Sequence, residues 1–512
     1  MGSYRHPTFA YRPPESARAR RRVVVVGAVP VGLTLAIDLK RHGVDVTLID
    51  EDDTVSVGSR AISWAKRSLE IFDRLGVAAP IVARGVTWNT GRVFHGDRQL
   101  YEFNLLPEPG HAFPAFVNLQ QYHVEEALVR RAEEVGVELL WRRKLIGLDP
   151  REHPTLSIET PDGASTIETD WLLACDGARS PTRRLMGLES KGQAFEDRLL
   201  IADVHMEADF PTERWFWFDP PFHQGGSALL HRQADDIWRI DLQLGRDADP
   251  EAERDPARVR PRLAAMLGPE RRFELDWVSV YTFQCRRLER FRHGRVIFLG
   301  DAAHTVSPFG ARGGNSGIQD ADNLAWKLAL ALAGQAPERL LDSYDAERGP
   351  AADENIRHST RSTEFIAPAT AAARRLRDAV LSLAADHAFA RALINSGRLS
   401  TPTVCAASPL CTPDRDVFAG GPPPGAPAVD APVDGGWLLP HFGDGFRLLR
   451  FGDGPALPLP VVELPVQGLA AERYDAQPGT TYLIRPDQHV AARWRRAEAR
   501  DVDGALARAL QT

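Results

Sequence analysis

Residues 295–327 read RVIFLGDAAHTVSPFGARGGNSGIQDADNLAWK, and this stretch says more about the fold than any other. An apolar run, Val296 to Leu299, ends at Gly300-Asp301 and leads into a loop rich in Gly and Pro. A helix is predicted to start near Gly317, because apolar residues recur at helical spacing over 318–332. A carboxylate at a strand end, followed by a glycine loop that opens a helix, suits a ligand with hydroxyls and an electron-rich ring. The pattern is typical of a flavin site.

A second informative segment lies near the N-terminus. Residues 22–27 read RVVVVG, a β-branched run ending in glycine that predicts a buried parallel strand. A helix is predicted next, then a strand over 44–49 that ends at Asp50. The dinucleotide fingerprint is G-x-G-x-x-G with an acidic residue about 20 positions on. Here Gly27 and Gly32 match its outer glycines, and Asp50 matches the acid.

Val29 replaces the middle glycine of this fingerprint, which normally lets the backbone approach a pyrophosphate closely. Two interpretations stay open. Either the turn tolerates Val29 with a small shift, because other contacts hold the cofactor, or the side chain pushes against phosphate or tilts the helix start and weakens binding. The other segments favour a real site over a vestigial one.

A third segment, residues 171–184 (WLLACDGARSPTRR), is again an apolar strand that runs into Asp176-Gly177. The carboxylate can accept hydrogen bonds from ribose or ribitol hydroxyls, and the glycine permits close backbone approach. Taken alone, the segment is better explained as a plain strand-to-helix turn with solvated arginines.

The three segments, in this order, resemble the single-component FAD-dependent aromatic hydroxylases, the group A monooxygenases typified by para-hydroxybenzoate hydroxylase. The longer phenol, hydroxyphenylpropionate and polyketide hydroxylases are the most similar, over most of residues 20–400. The resemblance implies FAD as cofactor and NADH or NADPH as co-substrate. It implies hydroxylation of a phenolic or other aromatic ring with O2 through a flavin C4a-hydroperoxide. The single dinucleotide fingerprint agrees with a nicotinamide cofactor that has no Rossmann domain of its own.

The resemblance also implies which residues hold FAD. Toward the pyrophosphate and ribose these are Gly27, Val29, Pro30, Gly32, Asp50, Glu51, Arg60 (in Ser59-Arg60-Ala61), Gln120 (in Asn118-Leu-Gln-Gln-Tyr) and Asp176. Toward the flavin they are Gly300, Asp301 at the ribitol, Pro308 beside the ring, and Gly313, Gly314 and Asn315, whose backbone amides face the pyrimidine edge. Unpaired amides at a helix start carry partial positive charge and would stabilise an anionic reduced flavin.

No residue is identified as the catalytic base. The candidates for a catalytic role are His304, Pro308, Tyr281 and His223, and His304 is equally well explained by a structural hydrogen bond. Strand patterns over 185–284 predict a sheet that covers the substrate. Phe216 and Phe218 are candidate pocket residues there, as are Tyr281 and His223, although ordinary sheet packing is the favoured explanation for each.

The predicted fold class is α/β: a Rossmann-like FAD-binding domain with an inserted mixed β-sheet substrate domain and a small C-terminal thioredoxin-like domain. The predicted parts are an N-terminal extension (1–20), the FAD-binding domain (21–75, 105–184 and 285–400), the substrate sheet domain (76–104 and 185–284), a linker (401–433) and the thioredoxin-like domain (434–512). The linker is predicted from its Pro, Ala and Gly content. The last domain has no cysteine, so a packing or dimer role is favoured over redox chemistry.

Bulk composition narrows the class of protein. The chain has 512 residues, 43% hydrophobic and 26% charged, which is the mix of a globular enzyme of two to four domains. The net charge of −7 argues against a nucleic-acid partner, and no signal peptide or membrane span is predicted. The four cysteines make no metal-ligand pattern, so no metal and a cytoplasmic location are expected. The expected partners are a small aromatic substrate, O2 and a second copy in a homodimer.

Two alternatives stay open. The same fold supports an epoxidase, a halogenase-like enzyme or a flavin reductase, although no lysine is placed where halogenases carry one. The second alternative is a flavin-poor, non-catalytic relative, which Val29 keeps in play. The sequence gives neither the substrate nor the choice between NADH and NADPH.

Overall fold

The computed structural model describes residues 4–14, 20–58, 60–394 and 399–512. Parts of the predicted N-terminal extension, Ser59 of the predicted Ser59-Arg60-Ala61 motif, and residues 395–398 near the end of the predicted FAD-binding domain therefore lie outside the described residues. None of the described helices is long and apolar enough to cross a membrane.

The regular elements are numbered in chain order. The strands are β1 (Arg21–Val26), β2 (Val46–Ile49), β3 (Ser63–Ala65), β4 (Val86–Trp88), β5 (Thr90–His95), β6 (Arg98–Asn104), β7 (Phe116–Asn118), β8 (Glu138–Leu140), β9 (Lys144–Asp149), β10 (Thr155–Thr160), β11 (Gly163–Ala174), β12 (Lys191–His205), β13 (Arg214–Phe218), β14 (Ser227–Arg232), β15 (Ile237–Leu244), β16 (Glu274–Arg287), β17 (Arg292–His293), β18 (Val296–Phe298), β19 (His304–Thr305), β20 (Pro432–Val433), β21 (Gly436–Trp437), β22 (Arg447–Phe451), β23 (Val461–Leu464), β24 (Thr481–Ile484) and β25 (Val490–Trp494). The helices are α1 (Pro30–Arg41), α2 (Lys66–Arg74), α3 (Ala78–Arg84), α4 (Gln121–Glu134), α5 (Pro181–Leu185), α6 (Pro250–Glu253), α7 (Pro256–Leu267), α8 (Gly313–Leu332), α9 (Asp342–Ile366), α10 (Ala371–Ala384), α11 (Ala388–Ile394), α12 (Gly468–Arg473) and α13 (Ala499–Leu510).

The three predicted strands that lead into the motifs are neighbours in one sheet. Its order is β17-β18-β11-β1-β2-β8, and β18, β11, β1, β2 and β8 run parallel. The four valines of β1 are buried, as expected for a strand covered on both faces. Because parallel strands end at the same edge, Gly27, Asp50, Asp176 and Gly300 come together there. The three segments therefore meet at one edge of this sheet.

Helix α8 begins at Gly313, four residues before the predicted start near Gly317. Glycine-rich sequence carries little helical signal, so periodicity could locate only the apolar part of the helix. The extra turn matters for function, because it places the helix N-terminus directly after the loop that contains Pro308.

The predicted substrate region forms an eight-stranded sheet in the order β19-β16-β12-β15-β14-β13-β5-β6. Its two chain segments join where β13 pairs in parallel with β5. The first part of the predicted segment 76–104 instead supplies α3 and β4, and β4 belongs to a small β3-β7-β4 sheet. One face of the large sheet packs on α7 through Val259 and Leu263, and the other face contacts Phe309 in the loop between β19 and α8.

The C-terminal unit contains a four-stranded sheet in the order β23-β22-β24-β25. Only β22 and β23 are parallel. The sequence FRLLRF (446–451), LPVVEL (459–464) and TYLI (481–484) predicts strands and 501–510 predicts a helix, and all four are present; the sequence does not predict β25 (VAARW). Its alanines and arginine gave a weak strand pattern.

The segment 401–433, predicted as a linker, is packed along its length against the C-terminal sheet. Thr412 and Gly425 donate backbone hydrogen bonds to the carbonyls of Ala491 and Val490 on β25. Leu410 is fully buried. The Pro- and Gly-rich composition therefore reflects irregular backbone that is held in place, because its polar groups are paired with an adjacent strand.

A buried network of charges holds the C-terminal unit against the FAD-binding domain. Glu347 of α9 accepts hydrogen bonds from Lys327 of α8 at 2.6 Å and from Arg485 at 2.5 Å. Arg485 also pairs with Asp487, and all four side chains are buried. Burial alone would raise the pKa of Glu347, but the charges of Arg485 and Lys327 hold it below its usual value.

We expect Arg485→Met to destabilise the protein strongly, because it leaves the Glu347 and Asp487 carboxylates buried with too little positive charge. Removing one partner of a buried ion pair costs about 3–5 kcal/mol. Thermal unfolding should show a lower midpoint. The control Lys191→Met breaks the exposed Lys191–Glu289 pair and should leave the midpoint unchanged. Equal midpoints for the two variants would contradict the docking role of Arg485.

Candidate functional site

The turn between β1 and α1 lies directly against the loop of the third segment. Gly27 has a φ of +109°, and a Cβ added there would lie 2.6 Å from the Cys175 carbonyl oxygen. A Cβ added to Gly32 would lie 2.1 Å from the carbonyl oxygen of Gly27. Both positions therefore require glycine, as the fingerprint predicts. No described side chain caps the N-terminus of α1, and Pro30 at its first position has no N–H.

Val29 adopts an ordinary extended backbone, with φ −96° and ψ 170°. Helix α1 begins at the next residue, so the backbone has no need of glycine at position 29. The side chain is partly exposed and packs against the domain core. Any obstruction of a pyrophosphate by Val29 is therefore expected from its side chain and not from backbone strain.

Asp50, at the end of β2, ties the glycine turn to the loop that follows the strand. Its carboxylate accepts hydrogen bonds from the backbone amides of Ala28 at 2.5 Å and Asp52 at 2.9 Å. Burial raises the pKa of Asp50 to about 6, although these hydrogen bonds oppose the rise. Glu51 beside it is exposed. Asp50 is thus positioned where the sequence predicts a ribose contact.

The two glutamines at the start of α4 point to different partners. The buried Gln120 donates to the carbonyl of Ala234, in the β14–β15 turn of the substrate sheet. Gln121 accepts from the backbone amide of Ala61 at 3.0 Å and donates to Ser56 and Glu125. The glutamine that touches the Arg60-Ala61 loop is therefore one position later than the residue predicted from the sequence.

Helical spacing contains the signal that would have singled out Gln121. Gln121 and Glu125 are four residues apart, so they lie on one face of α4 and meet the same loop. Glu125 accepts hydrogen bonds from the amide and the hydroxyl of Ser56 at 2.6 and 2.8 Å. Burial raises the pKa of Glu125 to about 7 against these hydrogen bonds.

Asp301 meets the start of α8 and the Arg60-Ala61 loop in one place. A Cβ added to Gly313 would lie 3.8 Å from Asp301 Oδ1, and one added to Gly314 would lie 3.5 Å from the Cβ of Ala61. The Asp301 carboxylate is accessible and makes no hydrogen bond or ion pair with any described residue. Although the residue is accessible, the protein around it partly excludes water from the carboxylate, and this desolvation raises its pKa. The positive charges of Arg60 and Arg183 oppose the rise.

Asn315 uses its whole side chain to fix the start of α8. Its Oδ1 accepts from the Ala65 amide at 2.8 Å and the Ser68 hydroxyl at 2.7 Å. Its Nδ2 donates to the carbonyls of Ser63 and Ala311. No described side chain caps this helix. The first-turn amides of α8 are therefore held rigidly and left for a ligand, as predicted for a flavin edge.

The two carboxylate oxygens of Asp176 differ: one has a structural role in the strand-to-helix turn, and the other is free to accept a hydrogen bond from a ligand. Its Oδ2 accepts from the backbone amide of Thr182 at 2.8 Å and so helps to begin α5. Its Oδ1 is buried without a hydrogen-bond partner in the described chain. Burial raises the pKa of this carboxyl group. One oxygen thus shapes the turn, while the other stays unpaired beside Gly27.

Two of the candidate catalytic residues are held by structural partners. The Nε2 of His304 lies 2.7 Å from Asp320 Oδ2, and that oxygen also accepts from the Gly300 amide at 3.0 Å. Arg348 binds the other oxygen of Asp320 at 2.6 Å. His304 therefore braces the turn beneath Asp301. His223 lies in a turn after β13, with its Nε2 2.6 Å from the Gln243 carbonyl.

The other two candidates border the cleft between the sheet and the flavin-motif loop. Tyr281 on β16 is 37% exposed. Partial desolvation raises the pKa of its hydroxyl, and the negative charge of Asp301 adds to the rise. Pro308 is exposed, and the following Phe309 packs edge-on against Phe283 of the sheet at 5.7 Å. Phe218 packs edge-on against Phe365 of α9.

These features fit FAD. Two uncapped helix N-termini suit the pyrophosphate and the pyrimidine edge, and unpaired oxygens on Asp176 and Asp301 suit hydroxyl donors. Among the described residues no group of three or more His, Cys, Asp or Glu side chains could hold a metal ion.

Comparisons with known proteins bear on the same region. Residues 20–359 match the family model described as an FAD binding domain. A 6-methylpretetramide 4-monooxygenase of Streptomyces rimosus is 34% identical, over 95% of this chain and 92% of its own length. A flavin-dependent monooxygenase of Mycobacteroides abscessus is 30% identical, over 91% of this chain and 96% of its own length. A crystallised flavin-dependent monooxygenase has the same fold, with a TM-score of 0.81 and 22% identity over 96% of this chain and 99% of its own.

FAD affinity should fall as the pH drops through about 6. Hydroxyl donors favour ionised Asp50, and protonation below its pKa removes that acceptor; the neighbouring Glu51 and Asp52 charges raise the same pKa. Fluorescence titration with FAD between pH 5 and 8 should show a weakening of up to about tenfold per pH unit. In Asp50→Asn, the change in FAD affinity near pH 6 should disappear, whereas the exposed control Asp45→Asn should show the same pH dependence as the unmodified protein. A flat profile for the unmodified protein would count against Asp50.

Val29→Gly should tighten FAD binding by up to about tenfold, or about 1.4 kcal/mol, because it removes the side chain beside the pyrophosphate turn and leaves the backbone unchanged. Calorimetric titration with FAD measures the change. The exposed Val417→Gly substitution is the matched control and should have no effect. Unchanged affinity in Val29→Gly would show that the side chain never obstructed the cofactor.

Proposed function

Because the chain belongs to the family defined by this FAD binding domain, we propose that it is an FAD-dependent monooxygenase that hydroxylates a phenolic or other aromatic ring with NAD(P)H and O2. The predicted resemblance to the single-component flavoprotein hydroxylases is confirmed. The relatives cover almost the whole chain, so the proposal applies to both the cofactor domain and the substrate sheet.

One observation carries the proposal. The accessible, unpaired carboxylate of Asp301 lies beside Gly313 at the uncapped start of α8, and Tyr281 of the substrate sheet lies close enough to feel its charge. A cofactor held at Asp301 therefore faces the sheet. This is the geometry needed to bring a reactive ring system against a bound aromatic compound.

Bound FAD would supply the redox chemistry, accepting hydride from NAD(P)H and activating O2. The residues of this chain would bind and orient. Asp301 accepts hydrogen bonds from ribitol hydroxyls, and the amides of Gly313 and Gly314 stabilise negative charge at the pyrimidine edge. Pro308 flanks the ring, and Phe216 and Phe218 help to exclude water from the substrate side.

Two finer assignments belong to the proposal. We assign the cofactor-side glutamine to Gln121, because its side chain and not that of Gln120 holds the Arg60-Ala61 loop. We also assign the C-terminal unit to a thioredoxin-like domain in which a short loop replaces the helix between β22 and β23. Since no cysteine follows Cys411, this unit serves in docking and not in dithiol chemistry.

Asp301→Ala tests the proposal directly. It should weaken FAD binding by about 10- to 100-fold, because hydrogen bonds to a charged group are lost. In the unmodified protein with FAD, a phenol or a larger aromatic compound should stimulate NADH or NADPH oxidation and gain one oxygen atom by mass. The exposed control Asp45→Ala should behave like the unmodified protein. Failure to bind FAD, or stimulated oxidation without any oxygenated product, would refute the monooxygenase proposal.

A further inference from the structure

One face of the substrate sheet carries a row of polar side chains that the proposed function does not use. His231 on β14 stands opposite Arg239 on β15, which stands opposite Asp203 on β12. Arg214, at the start of β13, extends the row beyond His231. Asp241 lies two residues after Arg239 on β15 and therefore on the same face.

Part of this row is satisfied and part is not. Arg239 and Asp203 form a buried two-pronged ion pair, with both contacts at 2.7 Å. Arg214 has no hydrogen bond or ion pair to any described residue. Within the same described ranges, Asp241 Oδ1 and both ring nitrogens of His231 are buried without a hydrogen-bond partner. Native proteins rarely leave buried polar atoms unpaired, so these atoms of His231 and Asp241, beside the partly accessible Arg214, point to a ligand.

The row faces the cofactor side of the sheet. The same face carries Phe218, which packs against Phe365 of α9, and Tyr281, which feels the charge of Asp301. The opposite face is covered by α7 through Val259 and Leu263. Arg214 and Asp241 are partly accessible although they lie deep in the protein, as expected for residues that line an internal cleft.

The three unpaired residues form a nearly neutral set. Burial lowers the pKa of Arg214 to about 10, which still leaves it cationic at neutral pH. Burial raises the pKa of Asp241 to about 6, against the attraction of Arg239 and Arg214. Burial, with Arg214 and Arg239 nearby, holds His231 neutral by lowering its pKa well below the usual value. The set thus offers strong donors beside an acceptor, with little net charge.

We propose that Arg214, His231 and Asp241 bind an adjacent carbonyl and hydroxyl on the edge of a fused polycyclic aromatic substrate. This assignment rests on the proposed function and names the substrate class of that site. Arg214 donates to the carbonyl oxygen, Asp241 accepts from the hydroxyl, and His231 completes the edge. A substrate carboxylate should bind less well than a hydroxyl at this end of the cleft, because it would meet the Asp241 carboxylate.

The length of the cleft agrees with a fused ring system. Asp241 pairs with Ile201, which pairs with Ser279, two residues before Tyr281. Two strand spacings and one two-residue step put Asp241 and Tyr281 roughly 12 Å apart. A single phenol cannot bridge the polar set and the cofactor side of the cleft, whereas several fused rings can.

Calorimetric titration of the FAD-loaded protein with two probes tests the proposal. The probes are 1,8-dihydroxyanthraquinone, which has neighbouring hydroxyl and carbonyl groups, and anthraquinone-2-carboxylate, which has the same rings and a carboxylate. The variants are Asp241→Asn and Arg214→Gln. Their matched controls, Asp247→Asn and Arg246→Gln, lie in the exposed turn after β15.

The unmodified protein should bind the dihydroxy probe more tightly than the carboxylate probe. Each variant should weaken binding of the dihydroxy probe by about 10- to 100-fold, because a hydrogen bond to a charged group is lost, and the controls should not. Asp241→Asn should also tighten binding of the carboxylate probe several-fold, a gain that misfolding cannot produce. Unchanged affinities in both variants, a preference for the carboxylate probe, or no binding of the dihydroxy probe would overturn the assignment.

The same samples separate this inference from the proposed function. Binding that depends on Arg214 and Asp241, without any oxygenated product, would support the assignment and refute the monooxygenase reaction. If the protein forms oxygenated product but neither substitution changes its preference between the two probes, the assignment is refuted and the monooxygenase reaction is supported.

Discussion

The close approach of α1 and α8 is the constraint on which the site depends. A Cβ added to Gly317 would lie 2.5 Å from Val31 Cγ2 and 3.1 Å from the Cα of Gly300. Gly32 is equally confined, against Gly27. With these glycines, the N-termini of both helices reach the edge where β1 and β18 end. Each helix therefore offers uncapped N-terminal amides at the edge where we propose that FAD binds.

The charged groups at the docking contact and those along the cofactor cleft differ in how they are paired. Where the C-terminal unit docks, Glu347, Lys327 and Arg485 satisfy one another with short hydrogen bonds. Along the cofactor cleft, by contrast, Asp176 and Asp301 keep oxygens unpaired. An unpaired buried group costs free energy, and a ligand that donates a hydrogen bond to Asp176 Oδ1 would recover it. The unpaired oxygens of Asp176 and Asp301 are therefore available to a ligand in this cleft.

Sequence patterns were informative where function depends on local structure. The strands that end at Gly27, Asp176 and Gly300 were predictable from apolar runs and glycine, because a strand followed by a tight turn is encoded within a few residues. The sequence leaves a catalytic and a structural role of His304 open, because its hydrogen-bond partner Asp320 lies 16 positions away in the chain.

Other features depend on contacts that no local pattern encodes. The choice between Gln120 and Gln121 depends on which side of α4 meets the Arg60-Ala61 loop. The polar row could not be predicted, because Arg214 precedes a run of aromatic residues, Asp241 alternates with apolar ones, and the pairing of their strands is set by the whole sheet. The segment 401–433 has the composition of a linker, and only its hydrogen bonds to β25 show that it is packed.

Calorimetric titration with FAD of the unmodified protein, Gly317→Ala and Gly504→Ala tests whether the close approach of α1 and α8 forms the cofactor site. A methyl at 317 would collide with Val31 and push α8 away from α1, whereas one at 504 would meet nothing within 4 Å. We expect one FAD per chain in the unmodified protein and in Gly504→Ala, and at least a tenfold loss of FAD affinity in Gly317→Ala. Unchanged FAD affinity in Gly317→Ala would contradict it.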